Sequence, residues 1–206
     1  MTTSELAVPS FDGLTFEEGP HIYRLNGLVI PSVSEVMEPL RAVHYAGISE
    51  KTLEKAAAKG TSVHNAIENF LKFEIDDISA ENYAYFEAFM DWYRYRKPEL
   101  IGSEIRLYHK ILRYGGTCDL LCFINSEIWL IDFKTTYEIS DMTCGVQLEA
   151  YAQALASFGF KIDKKMILQL KRDATWNEHL YPASDPKRWR VFGALKTVHD
   201  YISSCK

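Results

Sequence analysis

The stretch that decides the fold is GTCDLLCFINSEIWLIDFKTT, residues 116–136. It contains two apolar runs, 117–124 and 127–133, and both are rich in the β-branched and aromatic residues that are typical of strands. Only Asn125 and Ser126 separate the two runs, and both residue types favour a turn. The stretch therefore predicts a β-hairpin.

Besides Glu127, which follows the turn, three charged side chains lie in or directly after the apolar runs: Asp119 in the first, and Asp132 and Lys134 at the end of the second. A two-residue turn sets the register so that Asp119 and Asp132 lie directly opposite each other, with Cβ atoms about 4.5–5.5 Å apart. Because side chains alternate along a strand, Lys134 shares the face of Asp132, and Phe133 points to the other layer. The pattern predicts two carboxylates and an ammonium group together on one face of a sheet.

Two carboxylates at this distance repel each other, so one of them must take up a proton or a cation must lie between them. Oxygen ligands of this kind suit Mg²⁺ or Mn²⁺ better than zinc. A divalent ion beside an amine is suited to phosphodiester hydrolysis, because it offsets charge on the phosphate while the amine orients a water molecule. Taken singly, a strand-end Asp is usually solvated and a D-x-K triplet is common by chance.

The remaining sequence predicts one α/β or α+β domain over residues 1–206, with a mixed central β-sheet flanked by helices. A strand from Glu104 to Tyr114 precedes the hairpin, with Gly115 and Gly116 as the turn. The N-terminal part is predicted to form a β-hairpin at about 21–37 and a helical region at about 49–97. In that region one helix runs from Ser49 to about Phe73, broken near Gly60, and a second runs from about Ser79, its N-cap, to Lys97. A helix around 146–158, a strand at 165–170 and a helix at 185–203 follow the hairpin of residues 117–133.

Composition limits the function classes. The net charge of −5 argues against a protein that coats nucleic acid through overall positive charge. No apolar stretch approaches the roughly 18 residues that span a bilayer, and the N-terminus lacks a signal-peptide layout, so we expect a soluble protein that is cytoplasmic or nucleoid-associated. The four cysteines lack CxxC pairs, which favours structural thiols in a reducing compartment.

The segments GGTCDLLCF, IWLIDFKTT and QLEAYAQAL, in this order, resemble the PD-(D/E)XK nuclease superfamily. The similarity is to its RecB-like, phage-type exonuclease branch, which includes the mitochondrial genome-maintenance exonuclease. The resemblance implies a restriction-endonuclease-like core. It also implies that Asp119 and Asp132 bind metal, that Lys134 serves the attacking water, and that Gln147 and Tyr151 of the following helix position the substrate.

Two further residues enter through the same resemblance. The segment KGTSVHNAIENF is similar to the G-x-x-x-H-x-x-x-E helix of the family, in which the His, here His64, is a metal ligand; without the resemblance, a structural histidine is the better interpretation. Glu104 stands about where the family often has a Glu on the strand before the Asp. It is either a ligand of a second metal or a substrate-side group, or else a solvated residue at the end of a strand. By analogy, the backbone carbonyl of Phe133 is an additional ligand.

The function that the resemblance implies is a Mg²⁺-dependent DNA exonuclease, with Mn²⁺ able to substitute, of phage or cellular DNA recombination or repair. DNA with a free end is the expected partner, together with a single-strand annealing or recombination protein. The cysteine positions argue against an iron–sulfur cluster. Lys51, Lys55 and Lys59 recur on one helix face and form either a phosphate-binding stripe or a solvated face. The alternatives are a structure-specific endonuclease and a non-catalytic nucleic-acid-binding module.

Overall fold

The structure, a computed structural model, describes residues 8–75 and 77–205. Within these residues the chain forms eight strands and six helices. The strands are β1 Leu14–Glu17, β2 Ile22–Leu25, β3 Leu28–Ile30, β4 Glu99–Tyr108, β5 Gly115–Ile124, β6 Glu127–Lys134, β7 Lys164–Leu170 and β8 Trp176–Tyr181. The helices are α1 Val33–Val36, α2 Glu38–His44, α3 Glu50–Phe73, α4 Tyr83–Arg96, α5 Asp141–Ala156 and α6 Pro186–Ser204.

The main sheet has five strands in the order β4-β5-β6-β7-β8, and β1, β2 and β3 form a separate small sheet. Strands β4, β5 and β6 are antiparallel, β6 and β7 run parallel through the α5 crossover, and β8 returns antiparallel to β7. The predicted mixed central sheet flanked by helices is confirmed, and the arrangement is consistent with a restriction-endonuclease-like core. In the described part of the chain, no helix is both long and apolar enough to cross a membrane.

Two apolar cores lie on opposite faces of the main sheet. One packs α3 and α4 against residues that include Leu120, Ile131 and Phe133. The other packs α1, α5 and α6 against the alternate positions, among them Leu121 and Leu130. Burial of each such side chain contributes about 1.5–3 kcal/mol, so the alternation along β5 and β6 holds both layers in register.

The predicted register of the central hairpin is confirmed. Ile124 pairs with Glu127, and the ladder continues without a shift to Leu120 opposite Ile131. It stops one position before Asp119 and Asp132. Beyond that point β5 stays paired with β4 and β6 stays paired with β7, so the two central strands separate.

The predicted turn at Gly115 and Gly116 is wrong. Both glycines open β5, and Gly115 pairs with Tyr108, so residues 109–114 make the connection. The glycines are required for close packing. A Cβ atom on Gly115 would lie 2.7 Å from the ring of Tyr23, and one on Gly116 would lie 2.6 Å from Cε1 of Tyr151. A two-residue turn at these glycines would have placed Leu112 opposite Asp119. The longer connection places Glu104 there instead.

The helical region also differs from the prediction. Helix α3 is continuous through Gly60, since the surrounding alanine, glutamate and lysine residues are strong helix formers that offset the cost of one glycine, about 1 kcal/mol. Its N-cap is Ser49, whose side chain accepts a hydrogen bond from the backbone of Thr52. The N-cap position of α4 is Asn82, without a capping side-chain hydrogen bond, rather than Ser79, because Ser79 belongs to a preceding turn.

A buried ion pair, which the sequence pattern does not reveal, attaches α5 to the sheet. Lys165 of β7 and Glu149 of α5 are 1% and 0% exposed and form a direct contact. Glu149 also accepts a hydrogen bond from the backbone N–H of Asp185, the N-cap of α6, at 3.1 Å. Removing one partner of such a pair leaves an uncompensated buried charge, so the pair fixes where α5 lies on the sheet.

The contact between Gly116 and Tyr151 yields a stability prediction. We expect Gly116→Ala to destabilise the protein by about 1–3 kcal/mol, because the new methyl group forces the Tyr151 ring out of its packed position. Urea unfolding measures the change. Gly193→Ala is the control, since a Cβ atom there meets no atom within 4 Å and the residue lies inside α6; it should be neutral or stabilising by up to about 1 kcal/mol. Equal stabilities of Gly116→Ala and the wild type would contradict the packing role of Gly116.

Candidate active site

The candidate site lies where β5 and β6 separate. At this point the side chain of Asp119 replaces a strand partner, because its Oδ2 accepts the backbone N–H of Phe133 at 2.6 Å. Asp119 is 6% exposed and Asp132 is 2% exposed. Two carboxylates are thus buried at the point where the hydrogen-bonded ladder between β5 and β6 ends.

Glu104 reaches the site through an unusual backbone conformation. Its neighbours pair regularly, Ser103 with Leu120 and Ile105 with Cys118, so Glu104 lies opposite Asp119. However, Glu104 has a φ of 48°, in the left-handed region that non-glycine residues rarely adopt. Such a conformation costs about 1–3 kcal/mol and concentrates at functional sites. In this conformation, the Glu104 carboxylate lies 3.9 Å from Nδ1 of His64.

His64 joins the two acids from α3, on the other side of the site. Its Nε2–H donates to the backbone carbonyl of Phe133 at 3.1 Å, and Nδ1 lies 3.5 Å from Oδ2 of Asp119. Because this hydrogen bond holds Nε2, the other ring nitrogen, Nδ1, faces the acids. Metal-binding histidines are commonly oriented in this way, by a carbonyl that accepts from the ring nitrogen that does not bind the metal. His64, Glu104 and Asp119 each offer one ligand atom, and these three atoms lie within 4.8 Å of one another.

Asp132 has a different neighbour. Its Oδ2 lies 2.5 Å from Nζ of Lys134. The contact is an ion pair, and it occupies this buried oxygen of Asp132. Among the described residues, the group of three converging ligand atoms contains Glu104 rather than Asp132. The predicted partners Asp132 and Lys134 therefore lie beside the group of three rather than within it.

Crowding of these charges shifts their pKa values. Burial raises the pKa of Glu104 to about 8, and repulsion by Asp119 adds to the effect. Burial also raises the pKa of Asp132, against the attraction of Lys134, to about 6. Burial lowers the pKa of His64, but the Asp119 carboxylate outweighs this and brings it to about 9. Burial opposes ionisation of Asp119, yet the attraction of His64 holds its pKa below the ordinary value.

This donor set fits a divalent cation. Three carboxylates and one ammonium group leave an excess of two negative charges when His64 is neutral, which one divalent ion would balance. A mixed set of one imidazole nitrogen and carboxylate oxygens accepts Mg²⁺ or Mn²⁺. Asp132, whose Oδ2 is paired with the Lys134 ammonium group, adds a third carboxylate, itself buried, to the site. Without a metal, the same excess charge is neutralised by protons on His64 and Glu104.

Gln147 and Tyr151 lie together on α5. Nε2 of Gln147 donates to the Tyr151 hydroxyl at 3.0 Å, and the Tyr151 ring is buried against Gly116. Gln147 and Lys134 both line a cleft of about 230 Å³. Arg41 and the partly buried His44, from α2, line the same cleft. The cleft therefore brings cationic and amide donors next to the ion pair of Asp132 and Lys134.

The three lysines of the predicted stripe do not behave alike. Lys51 and Lys55 are exposed. Lys59 turns inward, where its Nζ donates to the backbone carbonyl of Thr135 at 2.9 Å and to the Tyr85 hydroxyl at 3.2 Å. Phosphate binding by these lysines stays a prediction, and Lys59 has a structural role in addition.

Sequence reasoning missed Arg41 and His44 as cleft residues. Both lie in a seven-residue helix without buried side chains, so no apolar periodicity marked the element or its orientation. A basic residue in the last helical turn is common for reasons unrelated to ligands. Only the position of α2 against α5 brings these side chains to the cleft.

Comparison with known proteins shows only remote similarity. No family model and no curated protein matches the chain. The solved structures that are similar in part include SSO0001, with 13% identity, a TM-score of 0.43 and coverage of 83% of this chain and 75% of that one. They also include LHK-Exo in complex with dAMP, with 10% identity, a TM-score of 0.45 and coverage of 85% of this chain and 88% of that one.

The shifted pKa values predict how metal binding depends on pH. Glu104, with a pKa of about 8, and His64, with a pKa of about 9, both carry protons at neutral pH and must lose them to bind a metal. We expect Mn²⁺ to release about two protons per ion near pH 7, and its affinity to rise between about pH 6.5 and pH 8.5. Calorimetry in buffers of different ionisation enthalpy counts the protons. An affinity that stays constant over this range would contradict the predicted ligand set.

Proposed function

We propose that this protein is a divalent-metal-dependent deoxyribonuclease that hydrolyses phosphodiester bonds, with Mg²⁺ as its natural cofactor and Mn²⁺ as a substitute. One observation carries the proposal: ligand atoms of His64, Glu104 and Asp119 converge within 4.8 Å beside the ion pair of Asp132 and Lys134. A structural ion-pair network would satisfy its charges, whereas this site holds more carboxylates than ammonium groups.

His64, Glu104 and Asp119 would hold the metal, and Asp132 would complete the site from the facing strand. A divalent ion bound there supplies Lewis-acid polarisation of the phosphate and neutralises its charge. The hydrogen bond from the Phe133 N–H orients Asp119, and the Phe133 carbonyl orients His64. Two of the three ligating side chains, Asp119 and His64, are therefore supported by one backbone segment of β6, which makes their positions interdependent.

Lys134 acts as a cation and hydrogen-bond donor. Burial lowers its pKa, but the Asp132 and Asp119 carboxylates outweigh this and hold the pKa above its ordinary value. The side chain is therefore protonated at neutral pH and cannot serve as a general base in this state. It can orient an attacking water through a donated hydrogen bond, and it can stabilise negative charge on the phosphate oxygens.

The cleft beside Lys134 suits a nucleic-acid strand. Arg41 places positive charge along it, His44 offers a ring nitrogen, and Gln147, held by Tyr151, offers an amide to a phosphate oxygen. The resemblance of the sequence motifs to RecB-like nucleases favours an exonuclease that acts at a free DNA end, in phage or cellular recombination or repair, together with an annealing or recombination protein.

The role of Lys134 is tested by substitution. We expect Lys134→Ala to lower kcat on DNA by about 10²–10³-fold, the usual cost of losing one donor to a transition-state anion, while Mn²⁺ binding persists. Lys161→Ala is the matched control, because Lys161 is exposed and precedes β7 at the opposite end of β6. Cleavage by Lys134→Ala at the wild-type rate would contradict the mechanism.

The mode of cleavage is tested with end-labelled linear DNA, single- and double-stranded, and with circular DNA, each with Mg²⁺ or Mn²⁺. Stepwise loss of terminal nucleotides with resistant circles is the expected result. Cuts in circular DNA would instead show an endonuclease. Binding without cleavage in either metal would show a nucleic-acid-binding module and overturn the proposal.

A further inference from the structure

Tyr137 is the most exposed large aromatic residue in the described part of the chain, with a relative exposure of 102%. A single exposed aromatic residue is ordinary on a protein surface and needs no explanation by itself. Its position is what distinguishes Tyr137. It lies in the connection between β6 and α5, and its neighbours Thr136 and Glu138 line the cleft next to Lys134.

The backbone that carries Tyr137 is held in place by buried or partly buried side chains. Three consecutive carbonyls accept side-chain hydrogen bonds: Thr135 from Lys59 at 2.9 Å, and Thr136 and Tyr137 from the two N–H groups of Gln169 at 2.9 and 2.8 Å. Gln169 is itself 4% exposed, and its Oε1 accepts a hydrogen bond from His179 at 3.2 Å. The backbone is thus fixed from α3 and from the sheet, while the Tyr137 side chain is fully exposed.

The distance to the catalytic centre is short. Tyr137 follows Lys134 by three residues, which span at most about 11 Å, the length of about three stacked nucleotides. A rigid backbone lowers the entropy that a stacking contact must overcome on binding. The Tyr137 ring lies on such a support, at the rim of a cleft that Arg41, His44 and Lys134 line. It can stack on the flat face of a base whose phosphate lies in the cleft.

We propose that Tyr137 is a stacking platform for an unpaired base close to the scissile phosphate, and that the substrate is therefore single-stranded DNA or a frayed single-stranded end. This inference rests on the proposed nuclease function and deepens it. An unpaired base exposes both of its faces, whereas a base inside a duplex is already stacked on its neighbours. Stacking on an aromatic ring also tolerates any base, so Tyr137 would add affinity without sequence preference.

Binding is tested in the Lys134→Ala background, so that the DNA is not cut. The probe is a single-stranded oligonucleotide that carries 2-aminopurine near its end, and a closed DNA hairpin without unpaired termini serves for comparison. We expect Tyr137→Ala and Tyr137→Leu to weaken single-strand binding by at least about 5-fold and to relieve 2-aminopurine quenching. Tyr137→Trp should retain both. Tyr201→Ala is the control, since Tyr201 is 71% exposed on α6.

The outcomes separate this inference from the function on which it rests. The stacking role would be overturned if the Lys134→Ala parent, Tyr137→Ala and Tyr137→Leu bound the single strand with equal affinity and equal 2-aminopurine quenching. It would also be overturned if the Tyr137 variants lost as much affinity for the hairpin as for the single strand. Cleavage is measured separately with Lys134 intact. If that protein cuts DNA but Tyr137→Ala binds normally, only the inference fails. If it does not cut DNA but Tyr137→Ala still loses single-strand binding and quenching, the nuclease proposal fails and the base-binding site stands.

Discussion

The hydrogen bond from the Phe133 N–H to the Asp119 carboxylate is the contact on which the site depends. It ends the β5–β6 ladder and lets the two strands part, with one staying beside β4 and the other beside β7. The gap that results is lined by acids from both strands and closed by His64 from α3. Because His64 also binds the Phe133 carbonyl, a single peptide segment of β6 positions a ligand on each side.

The electrostatics of the gap conflict with those of an ordinary core. Buried carboxylates are stable when they are paired, yet this site holds three carboxylates and one lysine. Burial, with repulsion by Asp119, raises the pKa values of Glu104 and Asp132. The left-handed backbone of Glu104 adds a conformational cost at the same place. Strain and unbalanced charge at one point are expected where function rather than stability selects the residues.

The sequence was informative where one local rule decides the outcome. The Asn125-Ser126 turn and strand alternation predicted the register of β5 and β6 and the layer that Phe133 faces, because a two-residue turn fixes which residues pair and a slip of one residue would exchange the two faces. The location of Glu104 could not be predicted, since the two glycines at 115 and 116 permit a turn as readily as they permit contact with Tyr23 and Tyr151. The role of Gln169, and the approach of Arg41 to the cleft, depend on tertiary packing that no local pattern encodes.

A crystal structure grown with Mn²⁺ tests the central claim most directly, because anomalous scattering locates the ion independently of the protein. We expect a single strong peak bounded by His64, Glu104 and Asp119, with Asp132 at its edge and His64 still bonded to the Phe133 carbonyl. Asp119→Asn, which retains the shape of the side chain, should lose the peak. A protein that cleaves DNA while its ion lies elsewhere, or while these three side chains stay free of metal, would contradict the assignment of the site.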